Sequence, residues 1–532
     1  MGIVAGVCEE IDLSNEIDNI LGVNPCQKVT TGEAVEMMVL NALGFVSKPL
    51  YLYPEYIENK SMCMFFREEL KPEDFNDDLV GRALDRLYEN DPTKIFMHIA
   101  VAVTRKFNIQ RKTCHLDTTT MSVHGEYARK DMDMVPITIT HGHSKEGRDD
   151  LKQFVISLIT EPKADLPIWV AAFNWNASDK KHFVQVIKDY SKMLKENDED
   201  IRFVMDSAGY TEDNVKTISP LVKWISRVPE NITDAKSLII TTHKDGMNVC
   251  SQEGYRHKEF MNSYGGVDQK WFVVYSQQAY DREEKTLEKN IKKESTKIEK
   301  AVWHFGNTDY KCKEDGLHAL ENIAKKWMYH RVEEYNIIEV KRFNTRGRPK
   351  KNASETKIFY RLKTIVEDDV EKVEKAKEKL GKFIIATNDQ NLNGNDALQE
   401  YKGQQSVERG FRFIKDPMFF ASSVFLKSPK RIVSLVMIMA LSLLVYSLAQ
   451  HKMREALKKY AETVPDQKKK PTSKPTMRWI FQQFEGIHML EYVEDKKLVR
   501  RVLNLKDVHK KIIKLLGPVI EKKYLLPARC GM

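Results

Sequence analysis

A long uncharged run towards the end of the chain limits the folds that are open to it. From Ile432 to Gln450 the sequence reads IVSLVMIMALSLLVYSLAQ, without a charged residue. About 20 apolar residues suffice to cross a bilayer, and otherwise such a run requires burial inside a large core. Ser434, Ser442 and Ser447 dilute the run, and no second run of this kind occurs. These features favour a core helix, with a membrane anchor as the alternative.

Composition favours a globular, multi-domain chain in a reducing compartment. The 532 residues are 42% hydrophobic and 9% aromatic, which excludes a disordered chain. Lys and Arg exceed Asp and Glu by 85 to 76, and this net charge of +9 does not by itself establish nucleic-acid binding. The 7 cysteines form no CxxC pair, which argues against a disulfide framework or a zinc ribbon. The N-terminus MGIVAGVCEE lacks the basic residues of a secretory signal, so we expect a cytoplasmic protein.

Changes in hydrophobic periodicity predict one mixed α/β sheet preceded by helices. Residues 1 to about 110 show the helical spacing of apolar residues. Strand-like runs follow at Lys112–Val123, Val135–Gly142, Gln153–Thr160, Ile201–Asp206 and 223–229. No helical pattern lies between the first three runs, whereas helical patterns separate the later runs from one another. Three successive strands followed by alternating helix and strand indicate a single mixed sheet.

The rest of the chain divides by charge and pattern. Residues 231–395 contain densely charged amphipathic helices and a few strands, which predicts an α+β insertion in the sheet domain. Helical patterns dominate afterwards, with a basic, proline-bearing linker at Asp466–Trp479. Five regions are therefore predicted: a helical N-terminal domain at 1–110, the first part of the sheet domain at 111–230, the insertion at 231–395, the final helices of the sheet domain at 396–460, and a basic C-terminal region at 461–532. For the N-terminal domain, DNA binding is one of two open interpretations.

Three acidic residues lie where a mixed sheet would bring them together. Asp117 is in the middle of the first predicted strand, Asp206 ends the fourth, and Glu408 follows the insertion on a predicted helix. The order of the elements makes the first and fourth strands plausible neighbours. Carboxylate oxygens are the ligands of Mg²⁺, and two such ions about 3.5–4 Å apart promote in-line phosphoryl transfer. The triple alone is weak evidence, because 76 acidic residues allow many other triples.

The surroundings of Glu408 strengthen the interpretation. Helical spacing places five polar side chains on one helix face, namely Tyr401, Gln404, Glu408, Arg412 and Lys415. Such a face offers a metal ligand between hydroxyl and basic groups that suit a DNA phosphate, and a plain polar helix face is the alternative. Gly403 and Gly410 each weaken a helix by roughly 1 kcal/mol relative to alanine, or else permit a close backbone approach. Pro417 is expected to end this helix.

Here the sequence resembles the DDE transposases of insertion sequences, which have an RNase H-like core. One branch of this family carries the motif Tyr-x2-Arg-x3-Glu-x6-Lys. The corresponding segment of this chain reads Tyr401-x2-Gln404-x3-Glu408-x6-Lys415. The LDTTT around Asp117 and the MDSAGYTEDN around Asp206 are similar to the two Asp motifs of the family. Gln404 replaces the arginine of the pattern, and Arg409 or Arg412 are candidates to substitute for it.

The resemblance implies a function and a set of partners. Asp117, Asp206 and Glu408 would bind two Mg²⁺ ions, with Mn²⁺ as an alternative ion, and Tyr401 and Lys415 would hold phosphates. The enzyme would be an endonuclease and strand transferase: water would cut double-stranded DNA at the terminal inverted repeats, and the freed 3′-hydroxyl would then attack target DNA. It would act as a homodimer on paired ends, without a membrane, and associate with the nucleoid.

Further motifs remain open. His141 and His143 could share a metal, although a polar turn is the better interpretation without paired cysteines or an HExxH motif. The segment RGRPKK resembles a minor-groove AT-hook in which Arg346 and Arg348 would contact DNA, and a plain basic loop is the alternative. The tryptophans Trp224, Trp303 and Trp479 are expected in the core rather than stacked on bases.

Two other functions compete with an active transposase. The first is a catalytically idle, transposase-derived DNA-binding protein, for which Gln404 is the support. The second is a membrane-anchored regulator, which depends on the run from Ile432 to Gln450.

Overall fold

The computed structural model describes residues 1–44, 57–58, 62–67, 69–127, 136–142, 147–174, 184–188, 190, 201–342, 357–416, 426, 428–494 and 497–524. The chain forms two compact units. The first comprises Met1–Ser226, Tyr264–Val267 and Gln399–Met532, and the second comprises Arg227–Ser263 and Asp268–Leu398.

The first unit contains a mixed sheet. Its strands are β1 (Thr113–Val123), β2 (Thr140–His141), β3 (Lys152–Glu161), β4 (Leu166–Phe173), β5 (Arg202–Met205) and β6 (Lys223–Arg227). Strand β3 lies antiparallel between β1 and β4, whereas β1, β5 and β6 run parallel to one another, so the order is β4-β3-β1-β5-β6. Three antiparallel strands extended by two parallel ones are the arrangement of an RNase H-like core, which confirms the predicted fold class.

One strand of this sheet was predicted at the wrong place. In the predicted strand Val135–Gly142 only Thr140–His141 pairs, next to the start of β3, and Val135 itself lies outside the described residues. The third long strand is β4, from the run LPIWVAAF. The first five residues of β4 are all buried, so the run lacks the alternation that marks a strand with one solvated face. Residues 184–188 are helical, as predicted.

Helices enclose this sheet. In the first unit they are α1 (Gly2–Glu10), α2 (Leu13–Leu21), α3 (Thr31–Leu43), α4 (Asp77–Glu89), α5 (Pro92–Lys106) and α6 (Glu212–Ile218). After the second unit α11 (Gly394–Lys402) leads back into the first, where the later helices are α12 (Gln405–Ile414), α13 (Pro429–Lys459), α14 (Met477–Gln483), α15 (Asp507–Leu516) and α16 (Pro518–Tyr524). Helix α3 begins with a capping box formed by Thr30 and Glu33, and all of its residues are buried.

The long apolar run forms the centre of a helical core. It lies in α13, which packs against α3, α4, α5, α15 and strand β4. Among the described residues α13 alone is long and apolar enough to cross a membrane, and its most apolar window is 83% buried inside the protein. The hydroxyl of Ser434 donates to the carbonyl of Leu84, and that of Ser442 to Ile438, so burial satisfies these polar groups. This burial agrees with the core-helix interpretation.

The C-terminal region contains strands as well as helices. Short strands β13 (Val464–Pro465) and β14 (Pro471–Thr472) pair, and a hairpin forms from β15 (His488–Glu494) and β16 (Lys497–Leu503). The sequence pattern predicts mainly helices here, and the two strand pairs depart from that prediction. Both segments of the hairpin mix apolar with charged residues, and strands with two exposed faces carry little hydrophobic signal.

The second unit is an α+β structure. Strands β7 (Asn248–Val249), β8 (Tyr255–Tyr264), β9 (Val267–Ser276) and β12 (Lys382–Thr387) follow the order β12-β9-β8-β7, and β10 (His330–Arg342) pairs with β11 (Lys357–Asp368). The helices are α7 (Thr233–Thr241), α8 (Gln277–Gly306), α9 (Lys313–Ala324) and α10 (Val370–Lys377). Phe305, Leu320 and Leu362 form a small core between the hairpin and its helices.

Replacing a buried leucine of α13 tests its role as the core helix. Leu444 is 0% exposed, so Leu444→Ala should destabilise the first unit by about 2–5 kcal/mol through lost burial and a residual cavity. The matched control is Leu490→Ala in the hairpin, where the side chain is 45% exposed and the loss should stay within about 0.5 kcal/mol. Calorimetric thermal unfolding measures both. Equal unfolding temperatures for the two variants would contradict the central position of α13.

Candidate functional site

The two aspartates lie level with each other on neighbouring strands. Strand β1 pairs in parallel with β5 through Cys114 opposite Phe203 and His115 opposite Val204. Two residues further along each strand, the same register places Asp117 beside Asp206. Both side chains are half-buried. The predicted neighbourhood of the first strand and the strand that ends in Asp206 is therefore confirmed.

Backbone groups orient both carboxylates. The N–H of Thr118 donates to Oδ1 of Asp117 over 2.7 Å. Asp206 caps a 3-10 turn at Ser207–Gly209, where its Oδ1 accepts from the N–H groups of Ala208 at 3.1 Å and Gly209 at 3.3 Å. These bonds fix the direction of each carboxyl group.

The segment around Glu408 consists of two helices rather than one. Helix α11 ends at Lys402 and α12 begins at Gln405, and tight i to i−3 hydrogen bonds join them through Gly403 and Gln404. The prediction of five side chains on one uninterrupted helix face is therefore wrong, because Tyr401 belongs to the preceding helix. A close approach occurs at this turn: a Cβ at Gly403 would lie 2.7 Å from Nε2 of the buried His115.

Helix α12 rests on β3 and β1. The hydroxyl of Ser406 lies 2.8 Å from that of Thr160, and both residues are 0% exposed. A Cβ at Gly410 would lie 2.9 Å from Leu158, so this glycine allows the helix to approach the sheet closely. Glu408 is exposed on the opposite side of the helix and forms no hydrogen bond or ion pair with any residue that the structure describes.

Asp117 faces the side of the sheet that carries α12. In the antiparallel register Thr160 is opposite His115, and Leu158 is opposite Asp117. Paired residues of an antiparallel ladder share a face, and so do residues two apart on a strand. Since Thr160 and Leu158 contact α12, Asp117 lies on that same face. The helix of Glu408 therefore covers the face of the sheet to which Asp117 belongs.

The three acids suit a hard divalent cation in their chemistry. Oxygen donors from separate elements are what Mg²⁺ takes, together with waters. Within the described ranges, however, no group of three His, Cys, Asp or Glu side chains is close enough to hold a metal ion. The three carboxylates thus form no closed cage among the described residues. His141 is exposed on β2, and its predicted partner His143 lies outside the described residues.

The basic groups around Glu408 differ in their availability. Arg409 forms a bidentate pair with Asp165 in the turn between β3 and β4, at 2.5 and 3.2 Å. This pair removes Arg409 as a substitute for the arginine that Gln404 replaces. Arg412 is exposed, and no described residue pairs with it. Lys415 is half-buried at the end of α12. Arg346 and Arg348 lie outside the described residues.

Two features near the acids were missed from the sequence. Nη1 of Arg202 donates to both carboxylate oxygens of Glu400, at 2.6 and 2.7 Å, and so ties α11 to β5. His115 is 0% exposed, neither ring nitrogen forms a hydrogen bond with a residue that the structure describes, and burial lowers its pKa to about 3. Its position two residues before Asp117, on the same face of a strand, was the available signal.

One tryptophan departs from the expected burial. Trp224 is 0% exposed, and the indole N–H of Trp479 donates to the carbonyl of Pro465. Trp303 on α8 is 65% exposed, and with Tyr335 it lines a cavity of about 580 Å³ in the second unit. The expectation of core tryptophans was therefore wrong for Trp303.

Adding one methyl group at the turn tests the close approach to His115. Gly403→Ala should destabilise the protein by about 1–3 kcal/mol, because the ring and the turn must move apart. The control is Gly486→Ala, since no atom lies within 4 Å of a Cβ there. In a His115→Ala background the methyl group of Ala at position 403 has space. The double variant should therefore unfold at a higher temperature than the sum of the two single-variant effects predicts. Additivity would refute the contact.

Comparison with known proteins identifies the family. The domain of unknown function DUF4277 matches residues 1–101, and the transposase DDE domain matches residues 110–445. Among solved structures, the chain is similar to the piggyBac transposase in a cryo-EM synaptic complex with hairpin DNA. The TM-score is 0.35 and the sequence identity is 10%, and the match covers 97% of this chain and 83% of that chain. No curated protein matches it. Since the transposase match spans more than half of the 532 residues, the chain belongs to the DDE transposases, enzymes that cleave DNA and transfer its strands.

Proposed function

We propose that this transposase serves an insertion sequence: it binds terminal inverted repeats, cuts DNA at the ends of the element and joins the 3′-hydroxyl ends to target DNA. Asp117, Asp206 and Glu408 are its catalytic metal ligands. The observation that supports this proposal is the register that sets Asp117 level with Asp206 on the face of the sheet beneath the helix of Glu408.

The acids act by holding and orienting divalent ions. Bound Mg²⁺, or Mn²⁺ in its place, would activate the attacking oxygen and stabilise the leaving 3′ oxygen in a two-metal site. The backbone N–H bonds to Asp117 and Asp206 orient these carboxylates for this task. Glu408 supplies a third carboxylate from an exposed helix face, where DNA has access to it.

Neighbouring residues position the DNA backbone. Tyr401, Gln404 and Lys415 offer hydroxyl, amide and ammonium groups around Glu408, and these group types contact phosphate oxygens in protein–DNA complexes. Arg412 replaces the arginine that the motif has at Gln404, because its guanidinium is exposed and unpaired among the described residues. Arg346 and Arg348 add a minor-groove contact from the insertion.

The proposed organisation follows the predicted regions. Residues 111–230 and 396–460 form the catalytic core, 231–395 the insertion, and 1–110 and 461–532 the helical N-terminal and basic C-terminal regions. Any DNA contact from the N-terminal region excludes α3, which is buried throughout. The enzyme acts as a homodimer on paired ends in the cytoplasm, associated with the nucleoid. The alternative remains a catalytically idle DNA-binding relative.

Replacing each acid tests the metal assignment. Asp117→Asn, Asp206→Asn and Glu408→Gln should each slow Mg²⁺-dependent nicking by about a thousandfold or more, since several kcal/mol of transition-state stabilisation are lost. The substrate is a plasmid that carries the DNA bordering the gene on both sides. Glu212→Gln, an exposed carboxylate near Asp206, is the control and should nick normally.

Two outcomes would change the proposal. Normal nicking by one of the three variants, with wild-type unfolding temperature, would remove that acid from the site. Tight DNA binding by the wild type without nicking in Mg²⁺ or Mn²⁺ would favour the idle relative.

The two arginines of α12 form a matched pair for the phosphate contact. Arg412→Ala should weaken DNA binding and reduce the slope of log affinity against log salt concentration by about 0.9, because one phosphate contact is lost. Arg409→Ala should leave the slope nearly unchanged, since Asp165 already neutralises that guanidinium. Fluorescence anisotropy at several salt concentrations measures both slopes. Equal slopes for wild type and Arg412→Ala would reject the contact.

A further inference from the structure

A buried hydroxyl pair joins the helix of Glu408 to the sheet. The hydroxyls of Ser406 on α12 and Thr160 on β3 lie 2.8 Å apart, although the residues are 246 positions apart in sequence. Both residues are 0% exposed. Arg409 of the same helix bonds to Asp165 at the surface. The hydroxyl pair, in contrast, is a polar contact on the buried face of α12.

Apolar side chains also hold α12, since Val407, Phe411 and Phe413 pack in the hydrophobic core. Such packing is non-directional, and at Gly410, which faces Leu158, no side chain of the helix interlocks with the strand. A hydrogen bond, in contrast, weakens steeply when its distance or angle changes. The Ser406–Thr160 pair therefore fixes the position of α12 along β3.

The pair also lies next to the acids in both elements. Ser406 is two residues before Glu408 on α12. Thr160 is opposite His115, which is two residues before Asp117 on β1. A shift of α12 along the sheet moves Glu408 by the same amount relative to Asp117. Mg²⁺ requires near-ideal octahedral geometry at about 2.0–2.1 Å, so displacements well below 1 Å weaken its binding.

We propose that the Ser406–Thr160 hydroxyl pair is a positioning contact that sets the place of Glu408 relative to Asp117, and thereby the affinity for the catalytic metal. This inference rests on the proposed role of the three acids. Neither hydroxyl touches DNA or metal, and the pair acts through the helix. Loss of either hydroxyl should therefore weaken metal binding while the carboxylates remain present.

Substitutions that remove one hydroxyl at nearly constant shape test this role. Thr160→Val and Ser406→Ala should each raise about tenfold the Mn²⁺ concentration that half-saturates the full-length protein without DNA, which electron paramagnetic resonance of free Mn²⁺ measures. The Mg²⁺ concentration for half-maximal nicking should rise similarly, and saturating Mg²⁺ should restore most of the rate. Thr160→Ser keeps the hydroxyl and should retain wild-type metal dependence. The double variant should be no worse than either single variant, since each already breaks the pair.

The control removes another buried hydroxyl of the same unit. Ser434 is 0% exposed and donates to the carbonyl of Leu84 over 2.7 Å, and Ser434→Ala should lower the unfolding temperature without changing Mn²⁺ binding. If Thr160→Val and Ser406→Ala behave like Ser434→Ala while Glu408→Gln weakens Mn²⁺ binding, the pair is only structural and the inference is overturned. Unchanged Mn²⁺ binding in Glu408→Gln would overturn the metal assignment itself, and the positioning role with it.

Discussion

The site depends on the two-sided pairing of strand β1. Its parallel ladder with β5 sets Asp117 level with Asp206, and its antiparallel ladder with β3 sets the same residue opposite Leu158, beneath α12. Backbone hydrogen bonds fix both registers, and a slip by one residue would turn every side chain of β1 to the other face. A strand held on both sides cannot slip towards one neighbour without breaking the other ladder. The arrangement of the aspartates is therefore a property of the backbone, and side chains only refine it.

Helix α12 is held in place from behind by the helical core. Phe413 of α12 packs against Tyr446 of α13 at a ring distance of 4.8 Å, and Arg478 forms an ion pair with Asp416 just after α12 at 2.7 Å. Helix α13 is in turn buried among the N-terminal helices, β4 and α15. The same hydrophobic core thus includes residues of α1 and α16 as well as Val407 and Phe411 of α12. The long apolar run that first suggested a membrane span supports the helix of Glu408 instead.

Much of this arrangement could be predicted from the sequence where the signal is local. Strands β1, β3, β5 and β6 are runs of apolar and β-branched residues, and the proximity of Asp117 to Asp206 followed from their order. What failed depends on distant contacts. The break between α11 and α12 lies where Gly403 meets His115, and Arg409 pairs with Asp165, which lies 244 residues away. Strand β4 is buried, so it shows no alternation. No local pattern carries information of this kind.

The break at Gly403 also changes the meaning of the missing arginine. Gln404 lies in the turn that precedes α12, whereas Glu408 and Arg412 are one helical turn apart on its exposed side. An arginine in the turn and an arginine at Arg412 would therefore approach a bound phosphate from opposite sides of Glu408. The replacement at Gln404 leaves all three carboxylates in place, which is why an active enzyme remains the function that we propose.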